Sequence, residues 1–241
     1  MIMILERCSV EVKGWSSNRF NKYKAYLSML FNELVQIETI EFNPMKGIAK
    51  EKTIKKARVI LSKEERKKID NYLKLNNYPF WRFMQIFFHS GARESELMEI
   101  KTFNVDLQNQ QFLVVVNKGR SSAEYKKPIK NIVLPLLAEI INEAKEGQYL
   151  FSKGLKPGDI PINANQISRR WRNHIKGKLH ITADFYSLKH SNLDEISAEL
   201  SIQDAAKMAS HTSIRTTEAH YATNEAQSQM DRLKNMNNSF S

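Results

Sequence analysis

The chain is poor in cysteine. Cys8 is the single one among 241 residues. One thiol cannot build an intramolecular disulfide framework or a thiolate metal cluster, and this scarcity fits a reducing compartment. Long apolar runs are lacking too: none reaches the ~18 residues that crossing a bilayer requires. The apolar start, Met1 to Leu5, is too short for a signal peptide and is followed by charge. A membrane or secreted role is therefore not expected, and a cytoplasmic one is. Negative charge is also short, with 26 Asp and Glu against 37 Lys and Arg, a net charge of +11 and a pI near 9.6. Such a surplus attracts polyanions and makes nucleic acid the leading class of partner. The plainer alternative is a Lys-rich protein from an AT-rich genome. The sequence offers no clear carboxylate cluster for a metal and no internal repeat.

What is present suffices for a core. The hydrophobic fraction is 41%, with 12 Phe, enough for one large domain or a domain with a small appendage. Phe20, Tyr23, Leu27, Leu30, Phe31 and Leu34 recur at helical spacing over 17–37. Asn43-Pro44 closes that segment. The run from Lys46 to Arg58 is rich in Lys and Arg and holds no aromatic. It reads equally as a solvated linker or as a strap along phosphates.

Ser62 and Glu65 form a capping box that starts a helix running to about Leu75. Residues 80–89 read as a buried helix stopped by Gly91 in a left-handed position, and a short helix spans 94–100. Gln111 to Asn117 reads as a strand, Lys118-Gly-Arg-Ser-Ser as a turn, and Ile129 to Leu134 as the returning strand. Pro135 opens the next helix. Residues 165–176 form a basic helix, and 187–200 and 202–210 two more. The class is mostly α with one small antiparallel sheet (α+β), either a hairpin or three strands. The tail from Asn235 reads as mobile.

Two stretches carry the chemistry: Ser90-Gly91-Ala92-Arg93-Glu94-Ser95-Glu96-Leu97 and Ala209-Ser210-His211 through Tyr221. A Lys-bearing hairpin separates them. In this order they resemble the tyrosine recombinases, or phage-type integrases, and most of all those of Bacteroides-like mobile elements. The likeness covers about residues 15–225. It implies a tyrosine recombinase catalytic-domain fold over 61–241, a basic linker over 51–60, and a helical core-binding domain for DNA over 1–50. That domain usually holds about four helices, and residues 1–50 have room for roughly two at ~1.5 Å per residue. The expectation is a shortened clamp.

The resemblance implies a role for each candidate. Arg93 grips phosphate oxygens with a planar fork, and Glu96 braces it or serves as a helix N-terminal charge. Lys118 is the hairpin general acid, with Arg120 and Lys126 close by in sequence. His211 donates to the scissile phosphate. Tyr221 is the nucleophile, a phenol with an ordinary pKa near 10 that reacts only among cations. The family's His-x-x-Arg stands here as Tyr186-Ser187-Leu188-Lys189. Lys189 keeps the charge and loses the fork. Tyr186 can donate a hydrogen bond and cannot become a cation near pH 7. Tyr221 follows His211 by ten positions, where nine is commoner in the family.

The resemblance further implies site-specific cleavage and rejoining of DNA through a 3′-phosphotyrosine, for integration or excision of a mobile element. It implies no cofactor and no metal, with double-stranded DNA as partner and a homotetramer on that DNA. The alternative is a catalytically impaired DNA-binding remnant or regulator of the same family. A relaxing enzyme of the type IB topoisomerase kind ranks third.

Overall fold

The computed structural model describes residues 14–53, 59–118, 121–211, 213, 217, 230 and 234. Chain contacts divide it into two compact units, 1–57 and 58–241. The division falls inside the expected basic linker. Among the described residues no helix is long and apolar enough to cross a membrane.

In the first unit, α1 (Ser17–Gln36) starts at Ser16, whose side chain accepts from the Arg19 backbone N–H. Phe20 is buried with Met45 and Ile48. Leu30, on the same apolar repeat, stays exposed. The segment after α1 returns along it through Asn43, whose amide donates to the Ser28 carbonyl (2.9 Å) and the Asn32 side chain (2.6 Å). Asn21 exchanges two hydrogen bonds with the Glu51 backbone, each 2.9 Å. Near the start of α1, Arg19 lies over the Trp15 ring at 5.2 Å, a cation–π contact.

The second unit begins with α2 (Lys63–Asn76), whose Ser62–Glu65 capping box is fully formed. Asn77 then caps α3 (Tyr78–Ser90), which ends on Gly91 at φ 62. There a residue with a Cβ would be strained. Arg93 occupies the N-cap of α4 (Glu94–Met98). The sheet follows in the order β1-β2-β3, antiparallel throughout: β1 (Val105–Asp106), β2 (Gln111–Lys118) and β3 (Ser121–Pro128).

The returning strand is thus Ser121–Pro128 and not Ile129 to Leu134. The apolar run is where the sequence pattern puts the strand, but β3 is largely exposed, so backbone pairing and not apolar pattern defines it. Ile129 and Val133 are buried in a turn after the sheet. Helix α5 (Leu134–Glu143) carries Pro135 in its first turn, where a missing N–H costs nothing. Arg82 of α3 reaches Glu139 (2.8 Å) and Glu143 (2.7 Å) of α5.

Helix α6 (Ala164–Trp171) continues through a π turn (Arg172–Lys176) and a last turn (Gly177–Leu179). The sequence reads as one uninterrupted helix there. Helices α7 (Ser187–Glu199) and α8 (Ile202–Met208) complete the described unit. The core is aromatic. Phe185 stacks on Phe87 at 4.5 Å and meets Trp171 edge-on at 5.4 Å. Trp171 is 2% exposed, and its indole N–H donates to the Ala183 carbonyl at 2.8 Å. Trp171→Ala should cost about 3–5 kcal/mol of stability, because it leaves a large cavity. Urea unfolding of this variant beside the unaltered protein measures the loss.

Candidate active site

Arg93 and Tyr186 are N-caps, Lys118 is the last residue of β2, and His211 lies just past α8. Arg93 follows the left-handed turn at Gly91, and its backbone N–H donates to Glu96 Oε2 at 2.7 Å. Its guanidinium also bonds Glu96 Oε1. Glu96 is 5% exposed, while the Arg93 side chain is 34% exposed. A buried carboxylate thus holds the inner side of an arginine whose remaining donors can face outward. The same pair forms a capping box for α4. A cleft of about 860 Å³ lies beside the pair, lined by Arg93, Glu96, Lys101, Asn117, Glu124 and Tyr149 among others.

The Phe87–Phe185 stack draws two of the motifs together. Phe87 lies in the last turn of α3 ahead of Arg93, and Phe185 immediately precedes Tyr186. Tyr186 is the N-cap of α7 and is 38% exposed. The His190 ring meets it edge-on at 4.9 Å, and Lys189 Nζ lies 5.8 Å from its ring centre. Lys189 is 2% exposed, in the first turn of α7. The substituted motif therefore packs a cation against a partly open phenol ring.

His211 follows α8 after Ser210, a non-glycine residue at φ 52. Its backbone N–H donates to the Ala206 carbonyl at 3.0 Å. Its Nδ1 lies 2.7 Å from the hydroxyl of Thr217, which is fully buried. Sequence reasoning did not single out Thr217. Its signal is a Thr six residues after the histidine, which no local periodicity marks.

Lys118 ends β2, paired with Ser121. The strand thus carries it to the hairpin end, and its side chain lies outside the described residues, as does Arg120. Tyr221 lies outside them too.

Two further groups bear on the site. Glu94 lines a second cleft with Arg172, Lys176, Phe185 and Tyr186, and burial pushes its carboxyl up to about 7. The sign follows from linkage. The folded protein holds this proton more tightly than the unfolded chain, so stability falls as pH rises from near 4.5 through 7. Glu94→Gln should flatten the melting temperature across that window and raise it at pH 8 relative to the unaltered protein. Thermal melts at several pH values check this, and an unchanged slope would contradict it.

The second group is Lys127, which is 1% exposed and whose ammonium donates to the Met208 carbonyl. The sequence draws attention to Lys118 and Lys126 and passes over Lys127. Of the basic residues on α6 and its π turn, Arg169 and Arg172 face solvent. His174 instead packs beside Tyr72 and Asn77, and Lys176 pairs with Asp184 at 2.5 Å.

With this geometry in hand, the likeness to known proteins is specific. A probable integrase/recombinase of Acholeplasma phage L2 is 28% identical over 153 residues, 62% of this chain and 51% of the relative. The match thus spans about half of that relative's length. Among solved structures, the Tn1549 transposon integrase in complex with transposon right end DNA superposes with a TM-score of 0.73 at 17% identity. That superposition covers 95% of this chain and 83% of the other. XerA recombinase matches with a TM-score of 0.60 at 16% identity, over 99% and 82% of the two chains. A lambda integrase tetramer bound to a Holliday junction matches at 0.67 and 15%, over 83% and 59%. At such identities the structures establish the shared fold. The phage integrase family profile fits residues 58–228, most of the chain and all of the motifs described above, and the chain belongs to that family.

Proposed function

We propose that this protein is a site-specific DNA recombinase that cleaves and rejoins duplex DNA through a phosphotyrosine. The observation that carries the reading is Arg93, held by the buried Glu96 on the turn that α3 and Gly91 form. Tyr221 attacks the scissile phosphorus and gives up its phenol proton to solvent. Its oxygen bonds to phosphorus, the bond to the 5′ oxygen breaks, and Lys118 gives that oxygen a proton. Arg93, Lys189 and His211 meet the charge that builds on the phosphoryl oxygens. Tyr186 orients Lys189 through its ring face. The retained bond energy lets the 5′ hydroxyl of another strand reverse the step. Double-stranded DNA is the partner, held by phosphate contacts from exposed cations such as Arg169 and Arg172. Recombination joins two duplexes, so the working form is a homotetramer on DNA in the bacterial cytoplasm. Integration or excision of a mobile element is the process served.

A second reading is a DNA-binding remnant or regulator with impaired catalysis. It is favoured by Tyr186 and Lys189, which replace His and Arg. A nicked suicide duplex carrying the element's own junction separates the two. Covalent protein–DNA product supports the recombinase, and binding without product supports the remnant.

A further inference from the structure

Lys127 lies on β3 opposite Phe112, six residues down the hairpin from the Lys118–Ser121 pair. Burying an ammonium is unfavourable unless it is hydrogen-bonded or paired. This one donates to the carbonyl of Met208, the last residue of α8. A helix leaves its final carbonyls without intrahelical donors, and its negative end favours a cation. Gly91 closes on the same carbonyl: a Cβ there would lie 2.5 Å from the Met208 oxygen. Lys127 also feels the site. Burial draws its pKa down to about 8, Glu96 pulls it up and Arg93 pushes it down. Three segments therefore meet at one carbonyl. These are the turn two residues before Arg93, the strand that pairs with the one ending at Lys118, and the helix end three residues before His211.

We infer that Lys127 is a positioning residue for DNA cleavage, tying the end of α8, and with it His211, to the hairpin and the Arg93 turn through the Met208 carbonyl. The inference rests on the recombinase reading. A lysine that merely filled the core would be replaceable by an apolar residue of like length, since such swaps of buried charge are often neutral or stabilising. A positioning lysine is not replaceable in this way, because small misplacements at a reacting centre cost rate out of proportion to stability.

Lys127→Met keeps the stem and removes the donor. Single-turnover cleavage of the suicide duplex should slow on the order of 10- to 100-fold. DNA affinity should stay within about twofold, because a buried lysine neutralises no phosphate. Combined with His211→Gln, the Lys127→Met change should add little further loss, as expected of residues acting as a unit. A substrate with sulfur in place of the bridging 5′ oxygen, whose leaving group needs no proton, should not restore the rate. Cleavage at the unaltered rate, full additivity with His211→Gln, or rescue by sulfur would each overturn the inference. Rescue would make Lys127 a general acid. If Lys127→Met melts below the assay temperature, Lys127→Gln carries the same measurements. Failure of the unaltered protein to form any adduct overturns the recombinase reading and this inference together. An adduct with the unaltered protein and an unimpaired Lys127→Met overturns this inference alone.

Discussion

Tyr221→Phe should abolish covalent joining of the protein to DNA while leaving DNA affinity within about twofold of the unaltered protein. The substitution removes one oxygen, the atom that must bond to phosphorus, and keeps the ring. A phenol with a pKa near 10 is almost wholly protonated at neutral pH, so its reactivity depends on the cations at the phosphate and not on its own ionisation. Tyr221 is the only tyrosine after Tyr186 in the sequence. End-labelled suicide duplex resolved on a denaturing gel reads the result directly. Persistence of the adduct in Tyr221→Phe would mean that another side chain is the nucleophile, and the mechanism above would fall.

Arg93→Ala should slow the same cleavage by about 10²- to 10³-fold, the usual loss when one preorganised donor to a developing oxyanion is removed. The structure makes this arginine expensive to replace. Glu96 holds its backbone N–H and one guanidinium nitrogen, so little reorganisation is needed when charge builds on the phosphate. Arg93→Lys should recover only part of the rate, because an ammonium lacks the planar fork that matches two phosphate oxygens. Glu96→Gln should fall between the unaltered protein and Arg93→Ala, since it leaves the arginine and loosens its support. Arg93→Ala should also lower stability, because it leaves the buried Glu96 carboxylate without its cation. Single-turnover rates at saturating DNA, beside thermal melts, separate lost chemistry from lost fold. A rate within threefold of the unaltered protein would show that Arg93 does not meet the reacting phosphate.

Several parts of this architecture were legible because their cause is local. The Ser62–Glu65 capping box and the stop at Gly91 depend on neighbours a few residues apart, and both formed as the sequence implies. The Arg93–Glu96 pair is likewise an i to i+3 contact across one helix start. The second strand was not legible. Its residues are mostly polar and, apart from Tyr125 and the buried Lys127, exposed, and its identity comes from backbone pairing with Gln111–Lys118. The apolar residues beyond it, Ile129 and Val133, are buried without being a strand. The π turn at Arg172–Lys176 was equally silent, since one extra residue in a helical turn leaves little mark on a short periodic pattern.

The sequence by itself determined the family, the order of the motifs and the residue types available for chemistry: Arg93, Lys118, Lys189, His211 and Tyr221. These are matters of identity and spacing, which a linear chain carries in full. Only the tertiary structure decided which groups support them. Phe87 stacks on Phe185 across nearly a hundred residues, Thr217 meets the His211 ring, and Lys127 reaches the Met208 carbonyl. Such contacts join elements that are remote along the chain. Their partners are fixed by how the helices and the hairpin pack around one core, and no local rule of periodicity or capping encodes that.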